Sequence, residues 1–280
     1  MTSKWAPEEP LPTAIMNSSS GQVGPFSRDG LPTAKTPRVE SAGRKQRVAV
    51  VIPAKDQAEH IAATVRAARA IPHVDLVLVV DDGSEDDTQH VARSAGAVVV
   101  RHPHNQGKAA ALETGVQVVA MRDAPGGLKR LLLFIDDDMG EAAVNAAPLL
   151  PPVLEGVADI AIALVPEQPE AKRRNAAAVT ARRAIRSMTG WTPTQPTGGM
   201  RCMTQEAFEV ATPLSRGWGV EVGMTIDQLR AGYVAVEVPC DLQWRPTSWD
   251  TQGPSHRLRI MTDVTRAINT RRLRALMSRG

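Results

Sequence analysis

The chain has 280 residues, 42% of them hydrophobic, which is enough for one sizeable α/β domain or two small ones and excludes a wholly disordered or fibrous protein. Two cysteines, Cys202 and Cys240, supply neither a disulfide framework nor a thiolate zinc site, although one bridge between them stays open, and the formal charge of +3 makes no general case for nucleic-acid binding. No apolar run is long enough to span a bilayer and the N-terminus has no apolar signal core, so the expected location is the cytoplasm.

Residues 1–46 are rich in Pro, Ser, Thr and Gly and show no sustained hydrophobic period, which predicts a disordered tail ending in the basic GRKQR. Order is expected from Arg47, and 47–280 reads as one domain. VAVVI (48–52) predicts a strand closed by Pro53, and Ile61, Val65 and Ala68 recur at helical spacing after it. The alternation repeats with a strand at LVLVV (76–80), a helix over 85–95, a strand at AVVV (97–100), a helix from Lys108 to Met121 and a strand at RLLLFI (130–135). Continuously apolar strands are buried on both faces, and intervening helices imply right-handed parallel crossovers. The predicted class is therefore α/β, a doubly wound, mostly parallel sheet flanked by helices.

Beyond Asp138 the pattern predicts a strand over 158–165, an Arg-rich helix over 170–188 and a Pro/Gly/Thr-rich loop at 190–199. A short strand at 200–203, a helix over 220–229, a strand at YVAVEV (233–238) and a basic terminal helix from Ser255 follow. This half is expected to be mixed in topology.

Each of the first four strands runs into polar residues at its carboxyl end: Pro53, Lys55 and Asp56, then Asp81 and Asp82, then His102 to Lys108, then Asp136 to Asp138. Open parallel sheets bind ligands outside those ends, so four segments aim at one crevice. Asp136 and Asp138 stand at i and i+2 with Asp137 between them, and bound Mg2+ or Mn2+ relieves their repulsion, whereas helix capping is the ordinary alternative. In DDGSEDDT, Asp-Gly makes a turn, Ser84 reads as a helix cap, and Asp81 with Asp82 are left as acceptors for a base or ribose donor. HPHNQGKAAAL has His102 and Ala109 where a phosphate-binding P-loop needs Gly and Ser or Thr, and no GxGxxG follows any strand. Lys108 opens a helix at the positive end of its dipole, which points to an anionic neighbour.

Together VVIPAKDQAEHI, VVDDGSEDDT, HNQGKAAAL and LLFIDDDM resemble the nucleotide-sugar glycosyltransferases of the GT-A fold, family 2, over about Val48 to Met139. The likeness continues through TGGMRCMTQEAF and GWGVEVGMTIDQLRAGYVAVEVP, in the order of polyprenyl-phosphate sugar transferases and glucosyl-3-phosphoglycerate synthases. It implies a nucleotide-sugar half (47–140) and an acceptor half (141–280). By the same resemblance Pro53 and Ala54 line the nucleotide pocket, Asp82 faces the base or ribose, Lys108 lies near the nucleotide, and Asp56 and Asp137 belong to the same side. Asp136 and Asp138 are then the outer members of a DxD motif holding a divalent cation on the diphosphate, with His256 as a third ligand. Asp56-Gln57 stands where the family often has Asn-Glu, which leaves the base open.

A hydroxyl acceptor needs a carboxylate base, for which the resemblance offers Glu221 or Asp227, while a phosphate acceptor needs none. Glu221, Thr225 and Gln228 share a polar helix face that also reads as solvated surface. Lys172, Arg173, Arg174, Arg182, Arg183, Arg186 and Arg201, with the arginines of the terminal helix, suit a phosphorylated or polyprenyl-phosphate acceptor or an anionic membrane face. Leu258, Met261, Thr265 and Ile268 give that helix a semi-apolar side expected to pack on the body, and Trp191, Trp218, Trp244 and Trp249 fall in the acceptor half. The alternatives are a sugar-phosphate nucleotidyltransferase and a non-catalytic relative that binds nucleotide sugar.

Overall fold

The computed structural model describes residues 46–166, 176–242 and 254–277. The expected tail up to residue 45, the start of the Arg-rich helix with Lys172, Arg173 and Arg174, and both Trp244 and Trp249 lie outside the described residues.

Strand β1 (Val48–Ala54) shows why its sequence is apolar without alternation. Val48, Val50 and Ile52 enter one hydrophobic cluster with Ile61 and Val65 of α1 (Ile61–Arg69), on one face of the sheet. Ala49 and Val51 enter a second cluster, on the other face, with Leu112 and Val116 of α3 (Lys108–Met121). Both faces are covered, so every position along the strand is selected for burial. β2 (Val74–Asp81), α2 (Thr88–Ser94), β3 (Val98–Arg101) and β4 (Leu131–Phe134) complete the regular half. The register pairs Ala54 with Asp81 and Asp81 with Arg101, bringing the carboxyl ends of three strands to one rim.

Past β4 the chain makes a 3-10 segment (Gly140–Leu149) and the short α4 (Leu150–Leu154). Neither has a sustained helical period in sequence, because Pro148, Pro151 and Pro152 interrupt the pattern. Next come β5 (Ile160–Leu164), α5 (Ala176–Thr189), β6 (Arg201–Met203), α6 (Gln205–Glu209), α7 (Val220–Arg230), β7 (Ala235–Pro239) and α8 (Pro254–Met277). The seven strands form one sheet in the order β3-β2-β1-β4-β6-β5-β7. β6 runs antiparallel to both its neighbours and every other pairing is parallel, which is the mixed second half the sequence suggests. Cys202 and Cys240 are both buried and free, so the bridge left open above is not formed.

The terminal helix packs with Val264 and Ile268 against Ile185 of α5 and Val222 and Ile226 of α7. Leu258, expected on that inward side, is 67% exposed and faces solvent instead. Among the described residues no helix is long and apolar enough to cross a membrane.

Close helix-sheet contact at Gly115 tests this packing. A Cβ there would lie 2.4 Å from Cγ1 of Val51 on the central strand. Gly115→Val is expected to destabilise the fold by about 2–3 kcal/mol through overpacking, measured as a lowered urea midpoint at unchanged slope.

Candidate active site

The first two loops at the rim are fastened to each other by backbone groups. Asp56 sits at φ 53, a left-handed conformation that aspartate tolerates, and this exposes successive N–H groups to the next loop. The Asp56 N–H donates to Ser84 Oγ at 2.9 Å, the Gln57 N–H to Thr88 Oγ1 at 2.7 Å and the Ala58 N–H to Asp86 Oδ2 at 3.0 Å. The Glu85 N–H returns to Asp56 Oδ1 at 2.7 Å, and Lys55 Nζ donates to Asp56 Oδ2 at 2.6 Å, which holds the Asp56 carboxyl below the usual range. Ser84 therefore does not cap a helix as expected from DDGSEDDT. The helix begins three residues late, at Thr88, because the intervening polar groups are spent clamping the loop after β1. Gly83 is required here: its φ is +72, and a Cβ would meet the backbone of His104 at 2.7 Å.

Asp81 and Asp82 hold the third loop. Asp81 is fully buried, accepts from the Ser84 N–H at 2.9 Å and faces Arg101. Asp82 accepts from the Gln106 and Gly107 N–H groups at 2.8 and 2.7 Å, while His102 Nδ1 lies 2.7 Å from its Oδ1. His102 reaches Thr114 of α3 with its other ring nitrogen at 3.0 Å. Both Asp82 oxygens are thus engaged by protein, and the residue expected to accept from a base or ribose also positions the turn that delivers Lys108. Ala54 is likewise core, 2% exposed, and its carbonyl accepts from the Asp82 N–H at 2.8 Å, whereas Pro53 is only partly buried.

Lys108, the first residue of α3, has the anionic neighbours its place on the dipole calls for. Its Nζ lies 3.0 Å from Asp136 Oδ1 and 3.1 Å from Glu221 Oε1. Burial alone would favour the neutral amine, but the two carboxylates more than offset this and the Lys108 pKa is raised. Gly199 permits the pair, since a Cβ at this position would stand 2.9 Å from Lys108 Nζ and 3.3 Å from Asp136 Oδ1.

The aspartate triplet is shaped from beneath by Thr64 of α1. Its hydroxyl donates to the Asp137 carbonyl at 3.0 Å and accepts from the Gly140 N–H at 2.8 Å. Asp137 turns toward β1 and accepts from the Lys55 N–H at 3.2 Å. Burial pushes its carboxyl up to about 7, with repulsion from Asp136 and Asp138 adding to the rise while the Lys55 N–H and Lys108 act the other way. Asp136 keeps 40% of its side chain exposed beside this inward neighbour. Asp136 and Asp138, the outer pair of the triplet, are both partly exposed, and hard oxygen donors so placed suit Mg2+ or Mn2+, which bind by one or two carboxylates and complete their shell with water and phosphate oxygens.

The remaining expected site residues divide. Glu221 is 7% exposed and belongs to the cluster, so the polar face of α7 is buried, not solvated. On that same face Thr225 accepts from Arg201 at 2.9 Å and Gln228 donates to the Ala207 carbonyl at 2.8 Å. Asp227, the other expected base, is paired elsewhere. It projects to α8, where its Oδ2 accepts from Arg271 Nε at 2.9 Å and Nη2 at 2.5 Å, and it serves to bind two helices together. His256, expected as a third metal ligand, packs its ring edge-on against Trp218 with centroids 5.7 Å apart. Among the described residues no group of three or more His, Cys, Asp or Glu is gathered for a metal.

Three participants escaped sequence reasoning. Thr64 looks like an ordinary helix residue, Gly199 one of several loop glycines, and Arg201 one member of a basic set. The signal available for Arg201 was a lone arginine opening an otherwise apolar strand, RCM.

The sequence model of glycosyl transferase family 2 matches residues 49–210, more than half of the chain and all four rim segments. The chain belongs to glycosyl transferase family 2. Glycosyltransferase AglJ of Haloferax volcanii is 30% identical over 210 residues, covering 73% of this chain and 65% of the relative. Succinoglycan biosynthesis protein ExoU of Rhizobium meliloti is 39% identical over 120 residues, covering 36% of this chain and 34% of the relative. The chain thus spans less than two thirds of the length of either. Among solved structures, glucosyl-3-phosphoglycerate synthase from Mycobacterium tuberculosis with phosphoglyceric acid has a TM-score of 0.61 at 23% identity, with 80% of each chain covered. The same synthase with Mg2+ and uridine diphosphate has a TM-score of 0.61 at 20% identity, again with 80% of each chain covered. At these identities the structures attest the fold, a GT-A sheet, and place this member of the family beside them in architecture.

Proposed function

We propose that the chain is a hexosyltransferase that moves a sugar from a nucleotide-diphosphate sugar to a phosphorylated acceptor, with residues 47–140 binding the donor and 141–280 the acceptor. The observation that carries this reading is the ionic cluster of Lys108, Asp136 and Glu221, next to Asp138, at the carboxyl ends of the sheet in a family 2 chain, with Glu221 buried and Lys108 and Asp136 part-exposed. A divalent cation held by Asp136 and Asp138 would neutralise charge developing on the departing diphosphate. Lys108 supplies a second positive charge at the head of α3, where the helix dipole also favours an anion. Asp82 and Thr64 keep Lys108 and the aspartates in register. For a phosphate acceptor, already nucleophilic, no base is needed, and Glu221 is the carboxylate of the cluster that remains for a hydroxyl acceptor.

The mycobacterial neighbours were solved with uridine diphosphate, Mg2+ or Mn2+, and phosphoglyceric acid, which supports a uridine nucleotide donor and a small phosphorylated acceptor. A polyprenyl phosphate at a membrane face is the second acceptor source, favoured by exposed Leu273, Leu276 and Met277 next to exposed Arg272 and Arg274 at the end of α8.

The test is incubation with UDP- and GDP-sugars, Mn2+, and either 3-phosphoglycerate or polyprenyl phosphate in vesicles. Release of nucleoside diphosphate with sugar on one acceptor is the expected result. Pyrophosphate from UTP or GTP with a sugar phosphate would instead make the chain a nucleotidyltransferase, and donor binding without either product would make it a non-catalytic relative.

A further inference from the structure

The ionic cluster continues inward past Glu221. Arg201, at the start of β6 and 1% exposed, donates from Nε to the Gly198 carbonyl at 2.8 Å and from Nη1 to Thr225 Oγ1 at 2.9 Å. Its third nitrogen, Nη2, is buried and has no hydrogen-bond partner among the described residues. A buried donor of a charged group left unpaired is costly and calls for a role. The Thr225 hydroxyl that receives Nη1 itself donates to the Glu221 carbonyl at 2.8 Å, so Arg201 is tied to the turn of α7 that carries the carboxylate. Charges then alternate from rim to core as Asp136, Lys108, Glu221 and Arg201.

We propose that Arg201 is a positioning residue of the donor site: its buried guanidinium stabilises the Glu221 carboxylate when Lys108 turns from its two carboxylates to an anionic ligand. The proposal rests on the nucleotide-sugar reading above. A diphosphate arriving with a cation on Asp136 competes for Lys108, which now satisfies two carboxylates at once. Without a second cation behind it, the buried Glu221 would be left unpaired at that moment, and the ligand would bind against that penalty. Burial lowers the Arg201 pKa to about 10, while Glu221 acts to raise it, so the two charges already attract each other in the ligand-free protein.

A double-mutant cycle with Arg201→Met and Glu221→Gln tests this, read by calorimetric binding of UDP and of GDP in Mn2+ and by urea unfolding without ligand. Arg201→Met is expected to weaken diphosphate binding about 10-fold in the native background and less than about 2-fold beside Glu221→Gln. Arg201→Lys, which keeps the charge, should recover most of the loss. Equal losses in both backgrounds, with no rescue by lysine, would reduce Arg201 to packing and overturn the proposal. Should Arg201→Met fail to fold, the double variant is expected to fold again, and its failure to do so counts the same way. If the native chain binds neither UDP nor GDP, the donor reading falls. The ligand-free cycle then decides the Arg201–Glu221 coupling, non-additive unfolding supporting it and additive unfolding refuting it.

Discussion

Lys108→Met is expected to lower kcat/KM for the nucleotide sugar by about 100-fold or more while costing only about 1–2 kcal/mol of stability. The contrast follows from exposure. Asp136 keeps 40% of its side chain in solvent, where water replaces the lost cation, and Glu221 retains Arg201 behind it. A departing diphosphate would have no such substitute, because a preorganised cation aimed at a developing charge is worth more to it than to a solvated carboxylate. Lys108→Arg keeps the charge on a bulkier head, and Gly199 leaves little room for it, so partial activity is expected. Steady-state kinetics beside urea unfolding checks both halves. A stability loss large enough to explain the activity loss would make Lys108 a structural residue.

Arg271→Ala is expected to show the reverse pattern, destabilising the protein by about 3–5 kcal/mol. Arg271 is 2% exposed and joins three segments: it donates to Asp227 and the Gly223 carbonyl on α7, to Ser215 Oγ at 2.6 Å, and to the Ala267 carbonyl on α8. Truncation empties a side-chain volume and leaves Asp227 without its cation in a place where burial already raises its pKa. Asp227→Asn is milder, about 1–2 kcal/mol, because an amide oxygen still accepts from the guanidinium. Chemical denaturation of both variants orders them. If Asp227→Asn abolished transfer at unchanged stability, the carboxylate would belong to the chemistry after all.

The regular half of the fold was legible because burial on both faces leaves an unambiguous mark, as in VAVVI and LVLVV, and because Lys108 opens a helix whose bounds the sequence predicts to the residue. The rim was legible too, since polar residues directly after apolar strands have few other uses. Which carboxylate is tied down by neighbouring backbone and which stays partly open to solvent was not. Asp82 and Asp136 look alike in sequence, yet one is consumed by the backbone of a neighbouring loop and the other stays open, a difference made by chain segments about 24 residues away. Glu221 and Asp227 stand six residues apart on one helix, and only the arrival of α3 on one side and α8 on the other separates site from staple. Polar periodicity failed on α7 for the same reason. A face reading as solvated is buried when charged partners from other elements meet it.

The most direct test of the account is thermal stability with UDP or GDP, with and without Mn2+, in the native chain and in Asp136→Ala and Asp138→Ala. Nucleotide and cation together, near 100 times their dissociation constants, are expected to raise the melting temperature of the native chain by about 5 °C, beyond the sum of their separate effects. Both variants should keep the native melting temperature without ligand and lose the joint increment. An undiminished joint increment in both variants would contradict the claim that these aspartates hold a cation on a diphosphate.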